Sequence, residues 1–171
     1  MPRGQHGKGY NTAQATPQHN STIAKEVPLS DEVRNKVPEI RAIGVRWYVC
    51  TTIPQGEIRA AERIREMLCP GDCGQKALAY VPCEFFWRRP QRANLRMPRR
   101  EYQRPRMRHY IFVGIPGGMT DEWLSMLRQR DIEGRNVHGL VSILGTPDGK
   151  PLRLNERGLD WVEDLAKEET A

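Results

Sequence analysis

The feature that most constrains the fold is a run of seven residues, HYIFVGI at positions 109–115, that is apolar on both faces of an extended chain. Side chains alternate along a strand, so Tyr110 and Phe112 share one face while Ile111 and Val113 share the other. A strand that is apolar on both faces belongs in a sheet that is covered on both sides. We therefore expect helices over one face of this sheet and something else over the other.

The remaining pattern predicts an α+β domain. Four segments rich in β-branched and aromatic residues predict strands: 45–52, 77–87, 109–115 and 137–144. Three amphipathic helices are predicted, one opened by Pro54 and Gly56, one capped by Thr120 and one capped by Asn155. The order strand, helix, strand, strand, helix, strand, helix is typical of a split βαβ (ferredoxin/RRM-like) antiparallel sheet with flanking helices.

The N-terminal region has a different composition from the domain. Residues 1–42 are rich in Gly, Gln, Asn, Thr, Pro and His and lack apolar periodicity. Such a segment buries too little apolar surface to offset its ordering entropy, which predicts a disordered or partly helical tail with Ser30 as a candidate helix cap. The folded domain is predicted to span 43–168, with 88–108 as an insertion.

This insertion concentrates positive charge. It holds nine arginines, one glutamate and no lysine, a net charge of +8, whereas the whole chain carries +6. Its three prolines exclude a long helix or a central strand, so we predict a long, partly hairpin-like connection. A positive arm on a nearly neutral body indicates a polyanionic partner, DNA and/or RNA. The candidate nucleic-acid-binding residues are Arg88, Arg89, Arg92, Arg96, Arg99, Arg100, Arg104, Arg106 and Arg108.

Two interpretations of the insertion are open. The guanidinium group binds phosphate bidentately and stacks on bases, which favours contact with nucleic acid. The alternative is a solvated loop that its like charges keep extended. Four aromatic residues beside the arginines are candidates for stacking on bases: Phe85, Phe86, Trp87 and Tyr102.

The cysteines favour a reducing compartment. No secretory signal is present, so Cys50, Cys69, Cys73 and Cys83 are predicted to be reduced thiols of a cytoplasmic protein. The spacing of Cys69 and Cys73 has no second pair to complete a zinc site, and Cys83 or His109 would complete one only through the fold. We expect neither a metal nor another cofactor.

The sequence disfavours a membrane protein and an enzyme. No apolar run approaches the ~20 residues that a membrane span needs. No glycine-rich phosphate loop, serine elbow or HExxH pattern occurs. We therefore expect a non-enzymatic protein without membrane contact.

A series of short motifs, taken in order along the chain, resembles the pattern of a known family. Trp47-Tyr48-Val49 opens the first strand, Ala79-Tyr80-Val81-Pro82 ends the second and a basic insertion follows. Next come Tyr110-Ile111-Phe112-Val113, a helix with Trp123, the strand 137–141 and the turn Gly145-Thr146-Pro147. In this order, over 46–165, the chain resembles the N-terminal domain of NusG-type transcription elongation factors, including their RfaH-like paralogues.

The resemblance implies a protein that binds RNA polymerase. Family members dock an apolar patch onto the coiled-coil helices of the polymerase clamp and contact the opposite side of the cleft, which reduces pausing and increases processivity. By position, the patch would consist of Trp47, Tyr48, Met107, Tyr110 and Phe112. Aromatic anchors often dominate such interfaces. The alternative is that these alternating aromatic residues belong to the core.

The chain also departs from the family. Arg106-Met107-Arg108-His109 stand where the family usually has aromatic and Pro-Gly residues. No KOW β-barrel follows Leu165, so we expect no contact with Rho or the ribosome through such a domain. The second interpretation is an RNA-binding protein of RRM-like topology that acts independently of polymerase. It ranks lower because residues 108–115 lack the glycines of the RRM signature strand.

Overall fold

The structure, a computed structural model, describes residues 27–28, 37–71, 74–88 and 100–170. The predicted tail 1–42 therefore lies outside the described residues, except at 27–28 and 37–42. The middle of the arginine-rich insertion, residues 89–99, also lies outside them. Within the described ranges the chain forms strands β1 (Val27–Pro28), β2 (Val45–Thr52), β3 (Leu78–Tyr80), β4 (Cys83–Arg88), β5 (Arg100–Pro105), β6 (Tyr110–Pro116) and β7 (Leu140–Ile143), and helices α1 (Glu57–Arg65), α2 (Asp121–Leu127) and α3 (Glu156–Thr170).

The main sheet has the strand order β3-β6-β2-β7, with every neighbouring pair antiparallel. Helix α1 connects β2 to β3, and α2 connects β6 to β7. Because β6 lies between β2 and β3, the first βαβ unit is split by a strand from later in the chain. The predicted α+β class and split βαβ arrangement are confirmed.

The predicted strand 77–87 is two strands in two different sheets. β3 ends at Tyr80 in the main sheet, and β4 begins at Cys83 in a second sheet of order β1-β5-β4. Pro82 has no N–H to donate to a ladder, which favours a break there. Its carbonyl oxygen accepts a hydrogen bond from the Arg106 N–H at 2.8 Å. The prediction of one continuous strand was wrong.

The second sheet gives the insertion its shape. β4 pairs antiparallel with β5 from Cys83 opposite Pro105 to Arg88 opposite Arg100. The prediction of a partly hairpin-like connection is confirmed for these strands, which we call the arm. Residues 89–99, which connect them, lie outside the described residues.

Both faces of the main sheet are covered. Helices α1 and α2 cover one face through a core that includes Cys50, Ile64, Ile111, Val113 and Trp123. Helix α3 and the segment 37–40 cover the other through Ile40, Trp47, Tyr80, Phe112, Val162 and Ala166. The expectation from β6 that both faces of the sheet are covered is therefore confirmed.

The helix caps follow the sequence. The Thr120 side chain accepts a hydrogen bond from the Trp123 N–H at 3.3 Å, and Asn155 Oδ1 accepts one from the Gly158 N–H at 2.9 Å. Each bond satisfies an amide that the helix itself leaves unpaired. Both predicted caps are confirmed.

The segment just before β2 is attached to α3. Ile40 is buried, and its carbonyl oxygen accepts a hydrogen bond from Trp47 Nε1 at 2.7 Å. Arg41 forms ion pairs with Glu156 at 2.6 Å, with Glu163 at 3.2 Å and with Asp160. Residues 37–42, assigned to the tail by sequence, thus pack on the domain because they cover the end of an apolar face.

Gly114 gives Trp47 the room to lie across β6. A Cβ atom at position 114 would stand 3.0 Å from Trp47 Cζ2, 3.0 Å from Val45 Cγ1 and 3.1 Å from Leu78 Cβ. Trp47 cannot readily yield, since its ring is buried and its nitrogen is bonded to Ile40. A side chain at position 114 is therefore in conflict with the packing of the α3 face.

We expect Gly114→Ala to lower the free energy of unfolding by about 1–3 kcal/mol, the usual cost of overpacking a core. Urea denaturation measures this loss. Ser125→Ala, at an exposed position on α2, is the control and should change stability by about 0.5 kcal/mol or less. Unchanged or increased stability of Gly114→Ala would contradict the packing.

The ion pairs of Arg41 predict that the attachment of segment 37–42 to α3 weakens in acid. The hydrogen bond from Arg41 is the main cause that lowers the pKa of Glu163. A carboxyl group with a lowered pKa contributes stability above its unfolded pKa, about 4.3, and loses it as the pH falls through the folded pKa. The free energy of unfolding should therefore fall on acidification below about pH 4.3, and less steeply in Arg41→Met.

Denaturation curves measured from neutral to acid pH test this prediction. Arg59→Met, which removes an exposed positive charge from α1, is the matched control and should follow the wild-type slope. If the free energy of unfolding fell equally steeply with acid in wild type and in Arg41→Met, the Arg41 ion pairs would contribute nothing to the pH dependence of stability.

Candidate nucleic-acid and partner interface

The predicted aromatic patch is largely core. Trp47 and Phe112 are each 1% exposed and Tyr48 is 6% exposed, whereas Tyr110 is 37% exposed. Met107 is partly buried against the α3-side core. Trp47 and Phe112 share a face, but α3 covers it, and Tyr48 packs into the opposite core. The prediction of one exposed patch from these five residues was wrong.

The contacts of the buried aromatic residues are structural. The Phe112 ring lies between Tyr80, stacked at 6.4 Å between centroids, and Trp161, edge-on at 6.0 Å. On the other face the Tyr48 hydroxyl accepts a hydrogen bond from the Met119 N–H at 2.9 Å. Tyr48, Tyr80 and Phe112 pack within the core and expose little surface to a partner.

Two exposed aromatic residues remain on the side of the sheet that α3 covers. Tyr110 begins β6 with 37% of its side chain exposed, and Trp161 on α3 is 48% exposed against the edge of Phe112. Alternation puts Tyr110 on the same face of β6 as Phe112. We call Tyr110 and Trp161 the aromatic rim.

Trp161 was missed by sequence reasoning. The helical stripe Leu159, Val162 and Leu165 explained the amphipathicity of α3, so Trp161 was left without a role. It lies next to Asp160 and near Glu163 on a helix whose other outward residues are mostly charged. A tryptophan among carboxylates on a helix surface is the signal that could have found it.

The arm carries an arrangement of aromatic and charged side chains. Phe86 and Tyr102 are register partners and stack at 6.0 Å with an interplanar angle of 24°. The Arg104 guanidinium lies 5.2 Å from the centre of the Phe86 ring and forms an ion pair with Glu84. On the other side of β4, Phe85 packs against the core, whereas Trp87 is 63% exposed.

The predicted arginines have different surroundings. Arg104 pairs with Glu84, and Arg106 pairs with Glu168 of α3 at 2.6 Å, a hydrogen bond that raises the pKa of Arg106. Arg108 is exposed in the turn before β6. The backbone of Arg88 and Arg100 lies in the arm, and the side chains of these two residues and all of Arg89, Arg92, Arg96 and Arg99 lie outside the described part of the chain.

A buried polar junction joins α3 to the base of the arm. The Tyr80 hydroxyl donates a hydrogen bond to Glu169 at 2.6 Å, and burial raises the pKa of Glu169. Arg65 donates to the Ala79 carbonyl oxygen at 3.1 and 3.0 Å. Tyr80, Arg65 and Glu169 line a cavity of about 30 Å³, enough for a single water molecule. A cavity of this size suits a structural water better than a larger ligand.

The thiols divide into two kinds. Cys50 and Cys83 are free and buried, and burial raises the pKa of each to about 12. The prediction of reduced thiols is confirmed for these two. Cys69 is disulfide-bonded, so the prediction was wrong there. Cys73 lies outside the described residues.

Two further features concern metal and membrane. Across residues 37–71, 74–88 and 100–170, no three His, Cys, Asp or Glu residues lie together as metal ligands would. Among the described helices, none combines the length and the apolar character needed to cross a bilayer.

No protein-family model matches the chain, and a search of curated proteins finds no significant match. The resemblance to NusG-type factors therefore rests on the sequence motifs between 46 and 165 alone.

Core and rim residues should respond differently to truncation. We expect Phe112→Ala to lower the free energy of unfolding by about 3–5 kcal/mol, because it opens a cavity beneath α3. Tyr110→Ala should cost about 1 kcal/mol or less, since the ring is partly in water. Urea denaturation of both variants measures the difference. Equal, small losses would mean that Phe112 is exposed as the sequence first predicted.

Proposed function

We propose that this chain is a NusG-like transcription elongation factor that acts in the cytoplasm, binds the clamp region of RNA polymerase and modulates pausing, processivity or termination. The combination of motif order and the position of the insertion carries the proposal. The motifs occur in the NusG order on a split βαβ sheet, and the arginine-rich insertion lies between its second and third strands, β3 and β6. Neither feature alone is specific, because this fold hosts many functions.

The aromatic rim is the surface best suited to polymerase docking. Tyrosine and tryptophan supply a large contact area with few rotatable bonds and are enriched among binding hot spots. Leu144 extends the apolar surface: it is 39% exposed, and its N–H bonds to the carbonyl oxygen of Val49, the residue opposite Phe112. Tyr110, Trp161 and Leu144 therefore replace the patch predicted from sequence.

The arm is the proposed nucleic-acid contact. The arginine-rich insertion 88–108, which includes β5 and the connection between the two strands, carries a net charge of +8, more than the net charge of the whole chain. A positive segment of this density attracts phosphate, and each phosphate contact steepens the salt dependence of binding by a log-log slope of about −0.7 to −0.9. We propose that the arm holds nucleic acid near the polymerase cleft while the rim docks.

The RRM-like alternative has less support from the geometry. RRM proteins stack bases on the open face of their sheet. Here that face carries Trp47 and Phe112 under α3. A polymerase-independent RNA-binding protein would have to bind through the arm instead.

Capture of bacterial core RNA polymerase from a lysate tests the proposal. The wild-type chain should retain the core subunits, and Tyr110→Ala and Trp161→Ala should each weaken capture by roughly 10-fold or more, as expected for hot-spot residues. Binding curves at low and high salt give the affinities. Ile132→Ala, a fully exposed residue between α2 and β7, should capture polymerase as wild type does.

Circular dichroism of each variant checks that the fold is retained. Recovery of RNA without polymerase subunits would favour the RRM-like alternative. Undiminished polymerase capture by both rim variants would remove the rim from the docking site.

A further inference from the structure

The arm has a third strand that comes from the N-terminal segment of the chain. β1 pairs with β5, so β5 lies between β1 and β4 in the second sheet. Val27 stands opposite Gln103, and Pro28 stands opposite Tyr102. A two-stranded hairpin is at best marginally stable in water, and a third strand adds to its stability. The ladder between β1 and β5 therefore helps to keep the arm folded.

The chain that supplies β1 is also attached to the body of the domain. Val37 is partly buried against the core on the α3 side. Ile40 is 4% exposed, and its carbonyl oxygen accepts the hydrogen bond from Trp47 Nε1. Arg41 forms ion pairs with three carboxylates of α3. The N-terminal segment is thus bound to the arm through β1 and to the domain through residues 37–41.

The arm, the N-terminal segment and α3 meet at the buried polar junction. Gln103 of β5 is 3% exposed and lines the same cavity as Val37 and Glu169. Its register partner on β4 is Phe85, which packs against the core. Because register partners lie on the same face of a sheet, Gln103 and Phe85 mark the face of the arm that contacts the domain. Val37 forms part of the surface against which this face packs.

We propose that Val27–Pro28 and residues 37–41 act together as a clasp, which holds the arm folded against the domain and frees the arm when β1 leaves β5. β1 is only two residues long and Pro28 has no N–H, so its ladder is shorter than that of β4 and β5. Short edge ladders are among the first parts of a protein to open. The inference goes beyond the proposed function, because it concerns how the arm is held and is independent of what the arm binds.

Hydrogen–deuterium exchange of the full chain, read at the amides of β4, tests the clasp. β4 is not a neighbour of β1 in the sheet, so faster exchange there reports on the arm as a whole. Val27→Pro removes the one backbone N–H of β1 and should speed exchange in β4 by roughly 2- to 12-fold, the effect of losing one net hydrogen bond. Exchange in β2 and β6 should be unchanged. Ala13→Pro, which places a proline well before β1 in the sequence, is the matched control.

A second variant releases the other end of the clasp. Ile40→Ala removes a buried anchor of the N-terminal segment and should also speed exchange in β4 relative to β6, whose amides report whether the domain stays folded. Because a clasp works only when both ends are attached, Ile40→Ala combined with Val27→Pro should give no further increase beyond the larger single effect. Ile43→Ala, at a fully exposed isoleucine three residues later, is the matched control and should exchange as wild type does.

The exchange pattern decides between a clasp and separate local contacts. Wild-type exchange of β4 in Val27→Pro, or faster exchange confined to β5, overturns the clasp. Additive effects of Val27→Pro and Ile40→Ala also overturn it, because they would show two independent attachments. These measurements contain neither polymerase nor nucleic acid, so their result leaves the test of the proposed function unaffected.

Discussion

Burial of both faces of β6 is the constraint on which the rest of the structure depends. Ile111 and Val113 need the cover of α1 and α2, whereas Phe112 needs that of α3. Trp47 lies beside Phe112 under the same helix, and its bond to Ile40 draws the segment before β2 onto this face. Once α3 covers the sheet, its central surface is closed to partners, and binding is left to the periphery.

The sequence predicted the parts of the fold that depend on local chemistry. Thr120 and Asn155 cap their helices because their side chains bond to amides three residues ahead. Alternation along β6 correctly separated its two faces. Periodicity could not say which element covers each face, so Trp47 and Phe112 were assigned to an exposed patch. That choice depends on how α3 packs, a tertiary contact between residues far apart in the chain.

The remaining errors have similar causes. The apolar run 77–87 gave no signal of a change of sheet except Pro82, which is also compatible with an edge strand. Trp161 was overlooked because an amphipathic stripe already accounted for α3. Of the four aromatic residues predicted for the docking patch, Tyr110 alone is exposed. The hairpin-like form of the arm was predicted correctly because the three prolines between 88 and 108 exclude a long helix or a central strand.

The two proposed surfaces are linked through α3. Arg106 at the base of the arm pairs with Glu168, and Tyr80 at the end of β3 bonds to Glu169. Trp161 of the aromatic rim lies two turns earlier on the same helix. The helix that closes the sheet thus also connects the aromatic rim, proposed to dock on polymerase, to the arm, proposed to contact nucleic acid.

Hydrogen–deuterium exchange of the free protein tests most directly whether α3 closes this face. If α3 closes this face, we expect its amides to exchange as slowly as those of β2 and β6, because the helix and the sheet open together. Fast exchange throughout α3, with β2 and β6 still protected, would contradict it. The face with Trp47 and Phe112 would then be open to a partner, as the sequence alone suggested.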